Sequence, residues 1–182
     1  MSSSLTVRRI AADQGATLRE LRAASLRDAP YAFGETLEET LAEQAETFDA
    51  TAARHATSEV STTFILYTEG HPAGLIGAYV DDTAQRKAFV RALWVAPAVR
   101  HLRGGELLVN MAIEWLAERG AGEVYAWVSD SNLNAMRFYE HLGFEPTAER
   151  APIARTPREW ETLLVRPVKS ENESASSDHA SR

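Results

Sequence analysis

The chain has 182 residues, about one domain's worth, and is 45% hydrophobic and 25% charged, an ordinary globular composition able to bury a core without staples. Its 26 acids against 19 Lys and Arg give a net charge of −7, which argues against nonspecific binding to nucleic acid. With no cysteine, disulfides, thiolate nucleophiles and cysteine-ligated metal sites are excluded. The histidines (His55, His71, His101, His141 and His179) never stand three to five residues apart, so no local zinc motif exists. The first six residues lack the basic and apolar regions of a signal peptide, and no apolar run approaches the roughly 20 residues of a membrane helix. The expectation is a cytoplasmic, single-domain protein with no metal and no nucleic-acid or membrane partner.

Weak alternation over residues 5–10 predicts a first strand. Leu18, Leu21 and Leu26 predict a helix over 13–26 with Asp13 as N-cap, stopping before Pro30. Leu37, Leu41, Ala45 and Phe48 recur at helical spacing, which predicts one helix over 36–53. Its other face carries Glu35, Glu38, Glu39, Glu43, Glu46 and Asp49 and reads as a solvated acidic face. Three strands over 62–68, 73–80 and 87–95, separated by turns at 69–72 and 81–83, form an antiparallel meander. A helix ending near Gly120, a strand over 123–128 and a short helix over 132–142 follow. Two final strands, 144–150 and 158–166, flank a proline-containing loop at 151–157. The order β-α-α-β-β-β-α-β-α-β-β places crossovers only in the second half, giving a mixed α/β sheet of about seven strands, mostly antiparallel, with about four helices. Residues 1–167 form the domain. Residues 168–182, rich in serine, read as a disordered tail.

The strand at 89–95 runs through A-P-A-V-R-H-L-R-G-G straight into a helix. Free N–H groups and the helix dipole at such a start favour an anion, and Arg100 and Arg103 add charge. The loop is neither a P-loop nor a dinucleotide fingerprint, and a plain helix-capping turn is the alternative.

The segment V-A-P-A-V-R-H-L-R-G-G-E-L-L resembles the cofactor-binding loop of the GCN5-related N-acetyltransferase (GNAT) superfamily, matching it at Val95, Pro97, Arg100 and Gly105. Arg103 departs from it by replacing the pattern's first glycine. The stretch S-D-S-N-L-N-A-M-R-F-Y-E-H-L-G-F resembles the family's second signature, with Asn132, Ala135, Phe138, Tyr139, Gly143 and Phe144 in register. The segment at 28–34, ending A-F-G, also resembles a stretch between the first two helices of some members.

The resemblance implies a GNAT-like sheet splayed in the middle and acetyl-CoA as cosubstrate. It implies cofactor contacts from Leu93, Trp94, Val95, Arg100, His101, Leu102, Arg103, Gly104, Gly105, Glu106, Asn132 and Tyr139. Tyr139 would be the general acid, as its counterpart is in many members. On the residues alone, Tyr139 also reads as a core aromatic and Asn132 as a simple N-cap. Some members carry a Glu in the strand before the cofactor-binding loop or in the strand before the second signature, and no Glu lies well inside either here, so either a water chain takes the amine proton or Glu35 reaches in as the base. Arg91 is the one charged residue well inside 89–95. Phe33 and Glu35 would contact the acceptor, with the loop at 151–157. The implied activity is acetyl transfer to a primary amine of a small molecule or amino acid. A CoA-binding regulatory module and a protein N-terminal or lysine acetyltransferase are the alternatives. Members are often homodimers, and the resemblance carries that expectation without pointing to a surface.

Overall fold

A computed structural model describes residues 4–30, 35–154 and 156–168, with only the backbone of Pro157. The elements are β1 Leu5–Arg9, α1 Gly15–Asp28, α2 Leu37–Ala42, α3 Ala45–Thr57, β2 Ser61–Thr68, β3 His71–Val80 and β4 Ala88–Val95. A 3-10 helix, Pro97–Leu102, leads into α4 Gly104–Glu118, β5 Glu123–Ser129, α5 Leu133–His141, β6 Glu145–Ile153 and β7 Thr156–Pro167. The seven strands form one sheet in the order β1-β2-β3-β4-β5-β7-β6. All neighbours are antiparallel except β4 and β5, the pair that the α4 crossover makes parallel.

That parallel pair places the site. β4 and β5 are in register only at Ala88↔Val124 and Phe89↔Tyr125. Beyond Phe89 they part, and the sheet opens toward Val95 and Val128, the splay that the family resemblance implies. Each face has its own core. On one, α4 packs Leu108, Val109, Ala112 and Leu116 against Ile76, Val90, Val124 and Ala126. On the other, α1 and α3 pack Leu18, Leu21, Phe48 and Ala52 against Ile65, Leu75 and Trp94. Burial at roughly 25 cal/mol per Å2 of apolar surface makes these two layers the main stabilisation of the walls around the opening.

Several boundaries depart from the sequence reading for identifiable reasons. α1 starts at Gly15 with Gln14, not Asp13, at its N-cap. A Cβ on Gly15 would lie 2.7 Å from the Asp49 backbone, so glycine lets α1 approach α3 closely. The helix expected over 36–53 is two helices, with Glu43 and Gln44 extended between them. A Thr36–Glu39 capping box starts α2, and Arg19 closes it by donating to the Leu41 carbonyl at 2.8 Å. The break turns α3 so that Phe48, Ala52 and His55 face the sheet while Leu41 stays exposed. With the 3-10 helix, this gives five α-helices and one 3-10 helix among the described residues, rather than about four. The loop expected at 151–157 is mostly strand: Pro152 pairs with Trp160 and Ile153 with Thr156. β6 is an edge strand, and an edge tolerates Pro146 and Pro152 because a missing N–H there breaks no inner ladder. Val168, expected in the tail, packs against the α4-side core and donates its N–H to Gly122 at 2.9 Å. The rest of the expected tail lies outside the described residues. No helix among the described residues is long and apolar enough to cross a membrane.

Candidate active site

The splay is the floor of a cleft of about 1130 Å3 that joins the two faces of the sheet. One wall is contiguous in sequence. It comprises Leu93, Trp94 and Val95 of β4, then Arg100, Arg103, Gly105 and Glu106, and, from the β5–α5 segment, Asn132, Ala135, Phe138 and Tyr139. Nine of the twelve expected cofactor contacts therefore line the cleft. The other three do not: His101 is exposed, Leu102 packs on the core, and Gly104 is buried against Leu66. A Cβ on Gly104 would come within 2.5 Å of the Leu66 side chain, so this glycine serves helix–sheet packing.

Arg103 is the N-cap of α4 and adopts a left-handed conformation, φ 61° and ψ 26°. For a side-chain-bearing residue that geometry costs about 1–2 kcal/mol, which is the physical reason a glycine suits the position. The guanidinium is 73% exposed and bridges to Glu106 in the first turn, 2.6 Å away. The amides of residues 104–106 precede the first intrahelical donor, Leu107, whose N–H reaches the Arg103 carbonyl at 3.3 Å. They are the unsatisfied donors of a 15-residue helix, where an anion is favoured. On Gly105 a Cβ would lie 3.2 Å from the Phe138 ring, so the absence of a side chain keeps the cleft open between α4 and α5.

Arg100 is fixed from two sides. Its Nε donates to the Val95 carbonyl at 2.9 Å, and its Nη2 is ion-paired with Asp28. Asp28 also accepts from the Trp94 indole at 2.9 Å, and that bond, with Arg100, holds its carboxyl below the usual range. The end of α1 is thereby tied to the end of β4. Between Arg91 and Trp94 the β3–β4 register slips, and Ala92 takes a positive φ of 53°. This bulge re-aims the β4 backbone at the point where β5 leaves it. The β5-facing edge beyond Phe89 has no strand partner among the described residues, so an extended ligand can pair there.

Asn132 caps α5, its Oδ1 accepting from the Ala135 N–H at 3.1 Å, and also lines the cleft. Tyr139 is 7% exposed, with its ring edge-on to Phe138 and Phe144 at centroid distances of 5.5 and 5.1 Å. It too is at once a core aromatic and a cleft residue. Burial alone pushes its phenol above its ordinary value.

The other wall comes from scattered strands. Residues opposite one another in a sheet share a face, so Gly77 and Tyr79 of β3 lie with Arg91 and Phe89 of β4. Tyr125, Trp127 and Ser129 of β5 and Glu161 of β7 continue that face. Tyr79 stacks on Phe89 at 5.2 Å, and Phe89 meets Tyr125 at 5.7 Å. Glu161 lines the cleft, and its carboxyl is raised by partial burial and then by the negative charge of Asp130. His55 is buried with Nδ1 2.9 Å from Thr63 Oγ1, and desolvation, with Arg54, Arg91 and Arg9 nearby, lowers it to about 4. Glu35 reaches the cleft but is ion-paired with Arg22. The acidic face at 35–49 is thus only partly solvated: Glu35 and Glu43 face the cleft and Glu39 closes the capping box. Phe33 lies outside the described residues.

Sequence reasoning did not assign Ala92, Asp28, His55, Glu161 or Arg91 to the site. Arg91 left a signal, as a lone charge inside an apolar strand. Ala92 left none, because neither glycine nor proline marks its bulge.

A mixed sheet opened between two parallel strands, with a long helix starting at the opening, is the architecture of a GNAT acetyltransferase. An acetyltransferase of the GNAT family from Streptococcus pneumoniae superposes with a TM-score of 0.77 at 19% identity, covering 91% of this chain and 100% of that one. PaiA N-acetyltransferase from Thermoplasma acidophilum, solved in complex with coenzyme A, gives 0.73 at 18% identity, covering 91% and 99%. In sequence, the chain is 33% identical over 86 residues to an uncharacterised N-acetyltransferase of Methanocaldococcus jannaschii, a match spanning 45% of this chain and 38% of that relative. The pattern of the acetyltransferase (GNAT) family matches residues 18–144, and the chain belongs to that family.

Proposed function

We propose that the protein transfers an acetyl group from acetyl-CoA to a primary amine of a small molecule or amino acid, by direct attack in a ternary complex. One observation carries this reading. A single cleft through the splay has an anion-binding helix start and a free strand edge on one wall, and polar and aromatic side chains on the other. The residues fit coenzyme A by their donor chemistry. The amides of 104–106 suit a pyrophosphate, and the unpaired β4 edge suits the amides of a pantetheine arm. The T. acidophilum neighbour was solved with coenzyme A.

On this reading the amine nitrogen attacks the thioester carbon, the carbon–sulfur bond breaks, and the departing thiolate takes up the second proton, which the nitrogen sheds as the amide forms. An aliphatic amine, with a pKa near 10.4 by the Lys reference, arrives protonated and must first lose a proton. We assign that proton to Glu161 rather than Glu35. Arg22 already neutralises Glu35, whereas Glu161 faces the cleft with its carboxyl raised above its ordinary value by partial burial, which favours proton acceptance. Tyr139 stays protonated because it is buried. Full transfer from it to a thiolate, whose thiol has a pKa near 8.5 by the Cys reference, is uphill, so its role is to donate a hydrogen bond to the departing sulfur. Backbone N–H groups at the Ala92 bulge are the oxyanion donors, held in place by the sheet before the reaction begins.

The test is a screen of amines with acetyl-CoA that reads free thiol release. Amine-dependent release supports the proposal. Coenzyme A binding without release from any amine makes the protein a binding module.

A further inference from the structure

Four arginines line the cleft: Arg22, Arg91, Arg100 and Arg103. Three are paired with acids of the chain, Arg22 with Glu35, Arg100 with Asp28 and Arg103 with Glu106. Arg91 is the exception. It makes no salt bridge among the described residues, although it stands on the same wall as Glu161.

The sheet nevertheless holds Arg91 in place. Its partner across β3 is Gly77, and a Cβ on Gly77 would lie 3.2 Å from Arg91 Cγ and 3.6 Å from Nε. The arginine stem therefore lies across a position that carries no side chain. Its guanidinium then sits over the Tyr79 ring, 4.8 Å from the centroid. Tyr79 is itself stacked on Phe89, so the cation rests on a rigid aromatic shelf. Arg91 also immediately precedes Ala92, the bulge residue where the β4 backbone turns toward the opening. A fixed fork of N–H donors without an internal acid, one residue from the reacting backbone, is a receptor for a planar anion.

Resting on the acetyltransferase reading, we propose that the acceptor is a free amino acid, its carboxylate held by Arg91 and its ammonium group turned toward the carboxylate side of the same wall. Amines without an anionic group leave Arg91 unmatched. The charges of the wall suit such a zwitterion: Arg91 supplies the cation and Glu161 the anion, and His55, lowered to about 4, is neutral at pH 7.

The experiment compares the free L-amino acids with the amines that lack their carboxylate, for example tyrosine with tyramine and arginine with agmatine. Peptides beginning with Asp or Glu form a separate arm, and thiol release from acetyl-CoA is the readout. Turnover is expected with amino acids and not with their descarboxy partners. In Arg91→Gln, KM for the amino acid should rise roughly 10- to 100-fold, with kcat within a few-fold and CoA affinity by calorimetry unchanged. Arg91→Lys, which keeps the charge but loses the fork, should fall between. Turnover of descarboxy amines, or of the peptides alone, overturns the inference and leaves the acetyltransferase reading intact. Coenzyme A binding with turnover of other amines but of no amino acid does the same, whereas coenzyme A binding with no turnover of any amine overturns both and leaves a binding module. A protein that neither binds CoA nor releases thiol with any amine overturns both.

Discussion

The two walls of the cleft are built in opposite ways. The wall proposed for the cofactor is two short runs of chain, 93–106 and 132–139, and its cations are paired internally, Arg100 with Asp28 and Arg103 with Glu106. Its fixed resource is backbone: an unpaired strand edge and the start of α4. The wall proposed for the acceptor draws single residues from β3, β4, β5 and β7 and from α1 and α3, and its resource is side-chain charge, Arg91 and Glu161. A backbone site is indifferent to most substitutions and suits a ligand shared by many proteins. A side-chain site changes with each residue, so specificity resides there.

The contrast accounts for what the sequence disclosed. Contiguous runs leave spacing patterns, and Asn132, Tyr139 and Gly105 were legible through them. The strands were legible as well, because hydrophobic runs and turn residues are local. Glu161 reaches the cleft only because β7 returns beside β5 and pairs Glu161 with Ser129, a long-range fact with no local signal. The break at 43–44 was hidden because the apolar spacing of Leu37, Leu41, Ala45 and Phe48 continues through it. Asp28 meets Trp94 and Arg100 across more than 60 residues.

The comparison can be broken at either wall. The largest expected effect in turnover is at Tyr139. Tyr139→Phe keeps the ring between Phe138 and Phe144, so melting temperature and CoA affinity should hold while kcat falls roughly 10²- to 10³-fold. A near-normal kcat in the folded variant would make Tyr139 a core residue only.

On the other wall, Glu161→Gln should lower kcat/KM by about 10²-fold at neutral pH and remove the acid limb of its pH profile. Because the folded-state pKa of Glu161 is raised, ionised Glu161 weakens the fold, and the Gln variant should be at least as stable at neutral pH. An unchanged acid limb would reassign the base.

His55 sharpens the same wall through stability. Its folded pKa of about 4 lies below the ordinary 6.5, so between these values the unfolded chain binds the extra proton. Its neutral form contributes up to about 3 kcal/mol above pH 6.5, lost as pH falls toward 4. Urea titrations from pH 7 to 4 should show this slope in the wild type and lose most of it in His55→Asn. An identical slope in both would assign the acid sensitivity elsewhere.

The smallest effect is expected at Arg103. Replacing it with glycine relieves the left-handed strain and releases Glu106, so CoA affinity should change by no more than a few-fold and lose little of its salt dependence. A large loss would show that the guanidinium, rather than the backbone, holds phosphate.

The most direct test of the central claim, that α4's first turn and the splayed β4 edge receive coenzyme A, is calorimetric titration of the wild type and Gly105→Asp with CoA. A Cβ at 105 already presses on the Phe138 ring at 3.2 Å, and an aspartate adds bulk and a negative charge at the anion site. One-to-one binding in the wild type, and none in a folded Gly105→Asp, is the predicted result. Equal binding by both proteins, or no heat from the wild type at millimolar CoA, would contradict the account.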